Sequence, residues 1–186
     1  MRFSEYVSLA IKTESPLQPL GDISRLAHAI IGINTEIGEI YDGIENSTKE
    51  NIDIVNMIEE VGDLYWYVAI LLDSTDSVDD KYVSTILKPT DTYTNSFSNI
   101  RNASNELLDI LKKHLFYGKP LNYEKIVSIS INIKLMLDIA SYLLGSTSIK
   151  VMTKNIEKLS TRYPEKFSEY HAENRNLEEE RKVLEK

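Results

Sequence analysis

Apolar residues recur along this chain at steps of three and four. Glycine and proline are scarce, seven and five in 186 residues, and leave those runs long. That spacing places apolar side chains on one face of a 3.6-residue helix. Phe3, Tyr6, Val7, Ala10 and Ile11 predict a helix over 3–13, broken by the stretch from Ser15 to Gly21 with its two prolines. A second helix is expected from Asp22, a suitable N-cap, to Glu45, on the stripe Leu26, Ala29, Ile30, Ile33, Ile37 and Ile40. After a polar turn at 46–48, a third runs over 49–72, with Ile54, Met57, Ile58, Val61, Leu64, Tyr65 and Val68 on its buried side. A shorter helical piece over 78–87 and a loop over 88–96 come next, then helices over 100–116, 123–144 and 149–162, stopped by Pro164. No stretch alternates with period two for long enough to make a strand. The expected fold is all-α, a bundle of long antiparallel helices.

Length and composition narrow the class further. A chain of 186 residues suits one domain with its own core, expected over 1–170, followed by a charged tail over 171–186 that is either a solvated helix or disordered. Without cysteine there are no disulfides, no thiolate zinc site and no cysteine nucleophile. A net charge of −8 argues against a nucleic-acid partner. The first residues lack a signal-peptide core and no apolar run approaches a membrane span, so no membrane partner and a cytoplasmic location are expected.

The acid is unevenly placed. Glu36-Ile37-Gly38-Glu39 lies in the second helix and Glu59-Glu60-Val61-Gly62-Asp63 in the third. Residues three apart share a helix face, so Glu36 pairs with Glu39 and Glu60 with Asp63, each pair beside an apolar stripe. If the two helices form a hairpin over 22–73, four carboxylates converge, and uncompensated they repel. Hard divalent cations relieve that, and an oxygen-only set suits Mg²⁺, with Mn²⁺ as a substitute. Gly38 and Gly62, each costing about 1 kcal/mol in a helix relative to Ala, fit a need for close helix approach or ligand access. The competing reading is surface acids on amphipathic helices. A di-iron bundle needs Glu-x-x-His pairs, and the residues three before His28, His114 and His171 are Arg25, Leu111 and Ser168. Trp66, between Tyr65 and Tyr67, reads first as core.

These motifs resemble those of the MazG-like all-α nucleoside triphosphate pyrophosphohydrolases. E-x-x-E followed by E-x-x-D is matched by Glu36, Glu39, Glu60 and Asp63, with 20 residues between Glu39 and Glu60. The run Glu59-Glu60-Val61-Gly62-Asp63-Leu64-Tyr65-Trp66-Tyr67 is similar to the family's E-E-x-G-D-x-x-W-Y form. The run Asn155-Ile156-Glu157-Lys158-Leu159-Ser160-Thr161-Arg162-Tyr163-Pro164 is similar to its N-x-x-K-x-x-x-R-Y-P segment. The resemblance covers 3–75 and 149–182. It implies Mg²⁺-dependent hydrolysis of (deoxy)nucleoside triphosphates between the α and β phosphates, with Glu36, Glu39, Glu60 and Asp63 as metal ligands. Glu39 is then the general base, and Asn155, Lys158 and Arg162 bind phosphate on the side away from the metals. A homo-oligomer, dimer or tetramer, is implied as well. The alternative is a non-catalytic helical module that binds a nucleotide or a partner and regulates.

Residues 97–145 repeat the shape of the hairpin. Glu106-Leu107-Leu108-Asp109 echoes Glu39-Ile40-Tyr41-Asp42, and Ile126-Val127 and Leu143-Leu144 match Ile54-Val55 and Leu71-Leu72 at an offset of 72. Ala103 then stands for Glu36, and Asn132 and Leu135 for Glu60 and Asp63. A register three residues away pairs Glu106 with Glu36 and Asp109 with Glu39 instead. Either register describes a degenerate second copy without a metal cluster of its own. The competing reading is that any two amphipathic hairpins align this well.

Overall fold

Most of the long helices start at a side-chain cap. The computed structural model describes residues 1–17, 19–47, 52–81 and 92–185. Its helices are α1 (Phe3–Ala10), α2 (Ser24–Glu45), α3 (Ile54–Asp73), α4 (Tyr93–Tyr117), α5 (Tyr123–Leu143), α6 (Ser148–Arg162), α7 (Glu169–Glu173) and α8 (Leu177–Glu185). Among the described residues there is no strand, and the fold is a packed all-α bundle. Asp53, Thr92, Asn122 and Thr147 each accept from the backbone N–H three residues on, so α3, α4, α5 and α6 begin where an orphan donor finds an oxygen.

Several boundaries differ from the expectation, each for a local reason. Asp22 is not an N-cap: a 3₁₀ turn over Gly21–Ile23 leads into α2, and the Ser24 hydroxyl accepts from the Leu20 N–H at 2.8 Å. The third helix starts at Ile54, because Asp53 caps it; Ile54 then falls in the open first turn and is exposed. The helix expected over 78–87 is absent from Val78–Lys81, which is coil and turn, and its remainder lies outside the described residues. The end of the expected loop, 93–96, is the first turn of α4, whose Ser96 and Phe97 are buried. Gly118, at φ +63°, closes α4 in the left-handed conformation that a Cβ disfavours.

Helices α2 and α3 form an antiparallel hairpin, since Gly32 lies against Tyr67 while Gly43, farther along α2, faces Asn56, farther back along α3. Helices α4 and α5 pair likewise; α2 packs on α4, and α3 on α5. Ile30, Ile33, Ile40, Leu64, Ile70, Leu71 and Ile100 fill the space between at under 2 % exposure. Each such side chain contributes about 1.5–3 kcal/mol of burial. Helix α6 lies across α3 and α1, and α8 across α6.

Two composition-based expectations change. By length and hydropathy α5 is long and apolar enough to span a membrane, although here it is a bundle helix. Its length hides a charged pair, Lys134 and Asp138, at 2.9 Å on the buried face. The tail carries the expected helix over most of its length, but α8 is not solvated throughout, because it docks through Leu184 and Glu180, 3 % and 2 % exposed.

Candidate functional site

The antiparallel register of α2 and α3 decides which acids meet. Glu36, Glu60 and Asp63 each present a carboxylate oxygen, all within 4.8 Å of one another. Glu39 lines the same cavity from an exposed position but stands outside that triad. Like charges brought together in a half-buried wall resist ionising. Burial, then Asp63 and Glu39, push the Glu36 carboxyl above the usual carboxylate range. Glu60 is pushed up further, by burial first and then by Asp63, Glu36, Glu39 and Glu59.

One cation inside the protein answers this charge. Lys158, on α6, is fully buried, and its ammonium donates to both Asp63 oxygens at 2.7 and 2.6 Å and to Glu59 at 3.3 Å. Burial acts to lower its pKa, but Asp63 and Glu59 outweigh it and hold the lysine above its ordinary value. Asn155, one turn earlier, donates from Nδ2 to Asp63 at 2.8 Å and accepts from the fully buried Tyr6 hydroxyl at 2.7 Å. The Asp63 carboxylate is therefore oriented by α6, and α6 by α1.

Gly62 permits this approach. A Cβ there would sit 3.1 Å from the Asn155 Cβ, tighter than ordinary packing. Gly38 is different, since a Cβ would meet nothing within 4 Å, and the close-approach explanation does not hold for it. The glycine that α2 does need for packing is Gly32, where a Cβ would overlap the Tyr67 ring at 2.1 Å.

The cavity above the acids has a volume of about 370 Å³, at the small end of the range for ligand pockets. His28, Trp66 and Tyr67 form one wall, with edge-to-face ring contacts at 5.0 to 5.9 Å. Trp66 is only half-buried, and its indole N–H is tied to the Ala10 carbonyl and the Thr13 hydroxyl at 3.1 and 2.9 Å. Tyr163 and Phe167 contribute further aromatic surface.

Arg162 also lines the cavity, but with its own partner: Nε and Nη2 donate to the two Glu180 oxygens at 3.0 and 2.6 Å. Lys158 and Arg162 share a helix face without acting as one clamp. The lysine is on the carboxylates, the arginine on α8. Sequence reasoning missed Tyr6, Glu59, Arg175 and Glu180. Glu59 was visible as the first acid of a doublet, whereas Tyr6 lies 149 residues from the Asn155 it touches, and Glu180 and Arg175, five apart, sit in a charge run that does not show which of its members meet Arg162.

No protein-family model, curated protein or solved structure matches this chain. What the site can do follows from its groups. Its hard oxygen donors suit a divalent cation, its arginines an anion, and its ring edges a flat apolar group.

Proposed function

We propose that the protein is an Mg²⁺-dependent hydrolase of (deoxy)nucleoside triphosphates that cleaves between the α and β phosphates. The observation that carries this reading is the convergence of Glu36, Glu60 and Asp63 in a cavity that also holds arginine and aromatic side chains. The resemblance of the two carboxylate motifs and of the 155–164 segment to MazG-like pyrophosphohydrolases supports it.

The donor set fits Mg²⁺: oxygen ligands only, and two carboxyls driven up by burial first and then by mutual charge, the part that a dication relieves. Glu36, Glu60 and Asp63 would hold it, with Glu39 at the rim. Bound there, the cation supplies charge neutralisation to phosphate and acidifies water. The chain's own groups do the rest. Lys158 and Asn155 keep Asp63 in one orientation. Arg162 faces the anionic substrate. Glu39, the exposed member, takes the proton as water oxygen bonds to the α phosphorus, the bond to the bridging oxygen breaks, and pyrophosphate leaves.

The finer architecture belongs to the same proposal. We read α4 and α5 as a degenerate copy of α2 and α3, so that one chain carries one cluster. Two contacts support it, each joining residues near one repeat apart. The Asn34 amide donates to the Ser104 carbonyl, 70 residues on, at 3.1 Å, and the Tyr65 hydroxyl to Asp138, 73 residues on, at 2.6 Å. Residues at or next to equivalent positions meet in this way beside a two-fold axis. The spacing of 70 favours the register that pairs Glu106 with Glu36.

A second reading, a non-catalytic nucleotide-binding module, draws on Lys158. A lysine already on Asp63 compensates part of the cluster without any metal. Incubating the protein with each NTP and dNTP plus Mg²⁺ separates the two. Pyrophosphate release supports the hydrolase; orthophosphate alone, or no turnover even with Mn²⁺, leaves the binding module.

A further inference from the structure

The segment that leads into α8 contributes a charge that the docking of that helix does not require. Glu180 is 2 % exposed, and a carboxylate so deep needs one cation to neutralise it. Arg162 already does this with two hydrogen bonds. A second guanidinium, that of Arg175, reaches the same Glu180 oxygen at 2.9 Å, leaving the trio with one net positive charge. That surplus is not lost into bulk solvent. Arg162 and Arg175 both line the carboxylate cavity, and the Arg175 side chain is 41 % exposed.

Helix α8 is held for the purpose from three sides. Leu184 is buried, its carbonyl accepts from the Lys154 ammonium, and Arg181 pairs with Asp53, the N-cap of α3, at 3.0 Å. The helix bearing Glu180 is thus fastened to the helix bearing Glu60 and Asp63. A plain anchor for α8 would be complete with Leu184, Arg181 and a single arginine on Glu180. Two guanidiniums bridged by one buried carboxylate make a fixed, forked donor array of the kind that recognises phosphate oxygens.

We infer that Arg175 binds the polyphosphate chain of the substrate together with Arg162, and that Glu180 is the positioning residue that holds both guanidiniums at the cavity. The inference rests on the hydrolase reading for the identity of the substrate, but it concerns anion binding and is tested separately from turnover. Chain length of the phosphate is what the pair would sense: a monophosphate uses the acidic end, whereas a triphosphate extends to the arginines.

Calorimetry of the full chain with inorganic tripolyphosphate and Mg²⁺ is the test, with helical content checked by circular dichroism. Arg175→Ala is expected to weaken tripolyphosphate binding about tenfold, the loss of one charge-assisted bond at a partly exposed site. Arg175→Lys, which keeps the charge but loses the fork, should recover only part of it. Glu180→Gln should weaken it as well and raise KM for a nucleoside triphosphate while kcat is held, a split that loss of packing alone does not produce. Wild-type affinity in Arg175→Ala, or no tripolyphosphate binding by the wild type, overturns the inference. If binding depends on Arg175 but no triphosphate yields pyrophosphate, the hydrolase reading falls and the anion site stands. If pyrophosphate is released and Arg175→Ala keeps the wild-type KM, the inference alone falls.

Discussion

The two hairpins handle buried charge in opposite ways. Between α3 and α5, Asp138 accepts from Tyr65 at 2.6 Å and pairs with Lys134 at 2.9 Å, so one anion meets one cation and a hydroxyl. Between α2 and α3, five carboxylates line a single cavity, and the one ammonium buried among them in the described residues, Lys158, comes from α6. The first arrangement is finished. The second stays frustrated, with Glu36 and Glu60 pushed up out of the carboxylate range until something else brings positive charge. A balanced buried pair is architecture; an unbalanced one beside a cavity is a candidate site for a ligand.

That contrast is most directly broken by conservative amides. Glu60→Gln and Asp63→Asn should abolish pyrophosphate release while the helical spectrum is unchanged. Near-native turnover in either would remove the α2/α3 cluster from the chemistry. In the other hairpin Asp138→Ala should do the reverse. Removing one member of a buried ion pair costs about 3–5 kcal/mol, seen as a lower urea midpoint, with kcat retained below the transition.

The pH response sharpens the comparison. Because Glu36 and Glu60 have folded pKa values raised above the ordinary 4.5, the stability they contribute is fully present below that value and is lost as pH rises through neutrality. The metal-free protein should therefore melt lower at pH 8 than at pH 5, and Mg²⁺ should flatten the slope. A thermal scan with and without Mg²⁺ reads this, and a slope unaffected by the cation would count against a metal at the triad. Smallest in size are the two glycines. Gly38→Ala, into open space, should gain up to about 1 kcal/mol of helix stability. Gly62→Ala should lose about 1 kcal/mol or more as Asn155 is pushed aside. Equal effects in denaturant titrations would mean that α6 does not depend on Gly62.

Much of this was legible in the residues. Apolar steps of three and four marked the long helices, and the two carboxylate motifs marked the wall of the cavity, because both are local patterns within one helix. What was illegible depends on a neighbour. Gly38 and Gly62 look alike in sequence, yet only Gly62 has Asn155 against it, 93 residues later. The spacing of Asn155, Lys158 and Arg162 shows a shared helix face but not that the lysine turns onto Asp63 and the arginine onto Glu180. Glu180 itself sits in a charge run that reads the same whether docked or solvated. Leu184 is the one apolar residue after Val183, a signal too thin to reveal docking.

The hydrogen bond from Tyr6 to Asn155 spans 149 residues of chain, and Asn155 in turn holds Asp63. Loop-closure entropy makes such a contact among the last to be repaid in folding. The α2/α3 hairpin needs only short-range closure and can gather its acids early, but Asp63 acquires its final orientation once α1 and α6 have both arrived. Amide exchange in α1 and loss of activity under mild denaturant should then move together. The carboxylate cluster in the middle of the chain takes its final form through the meeting of two distant segments.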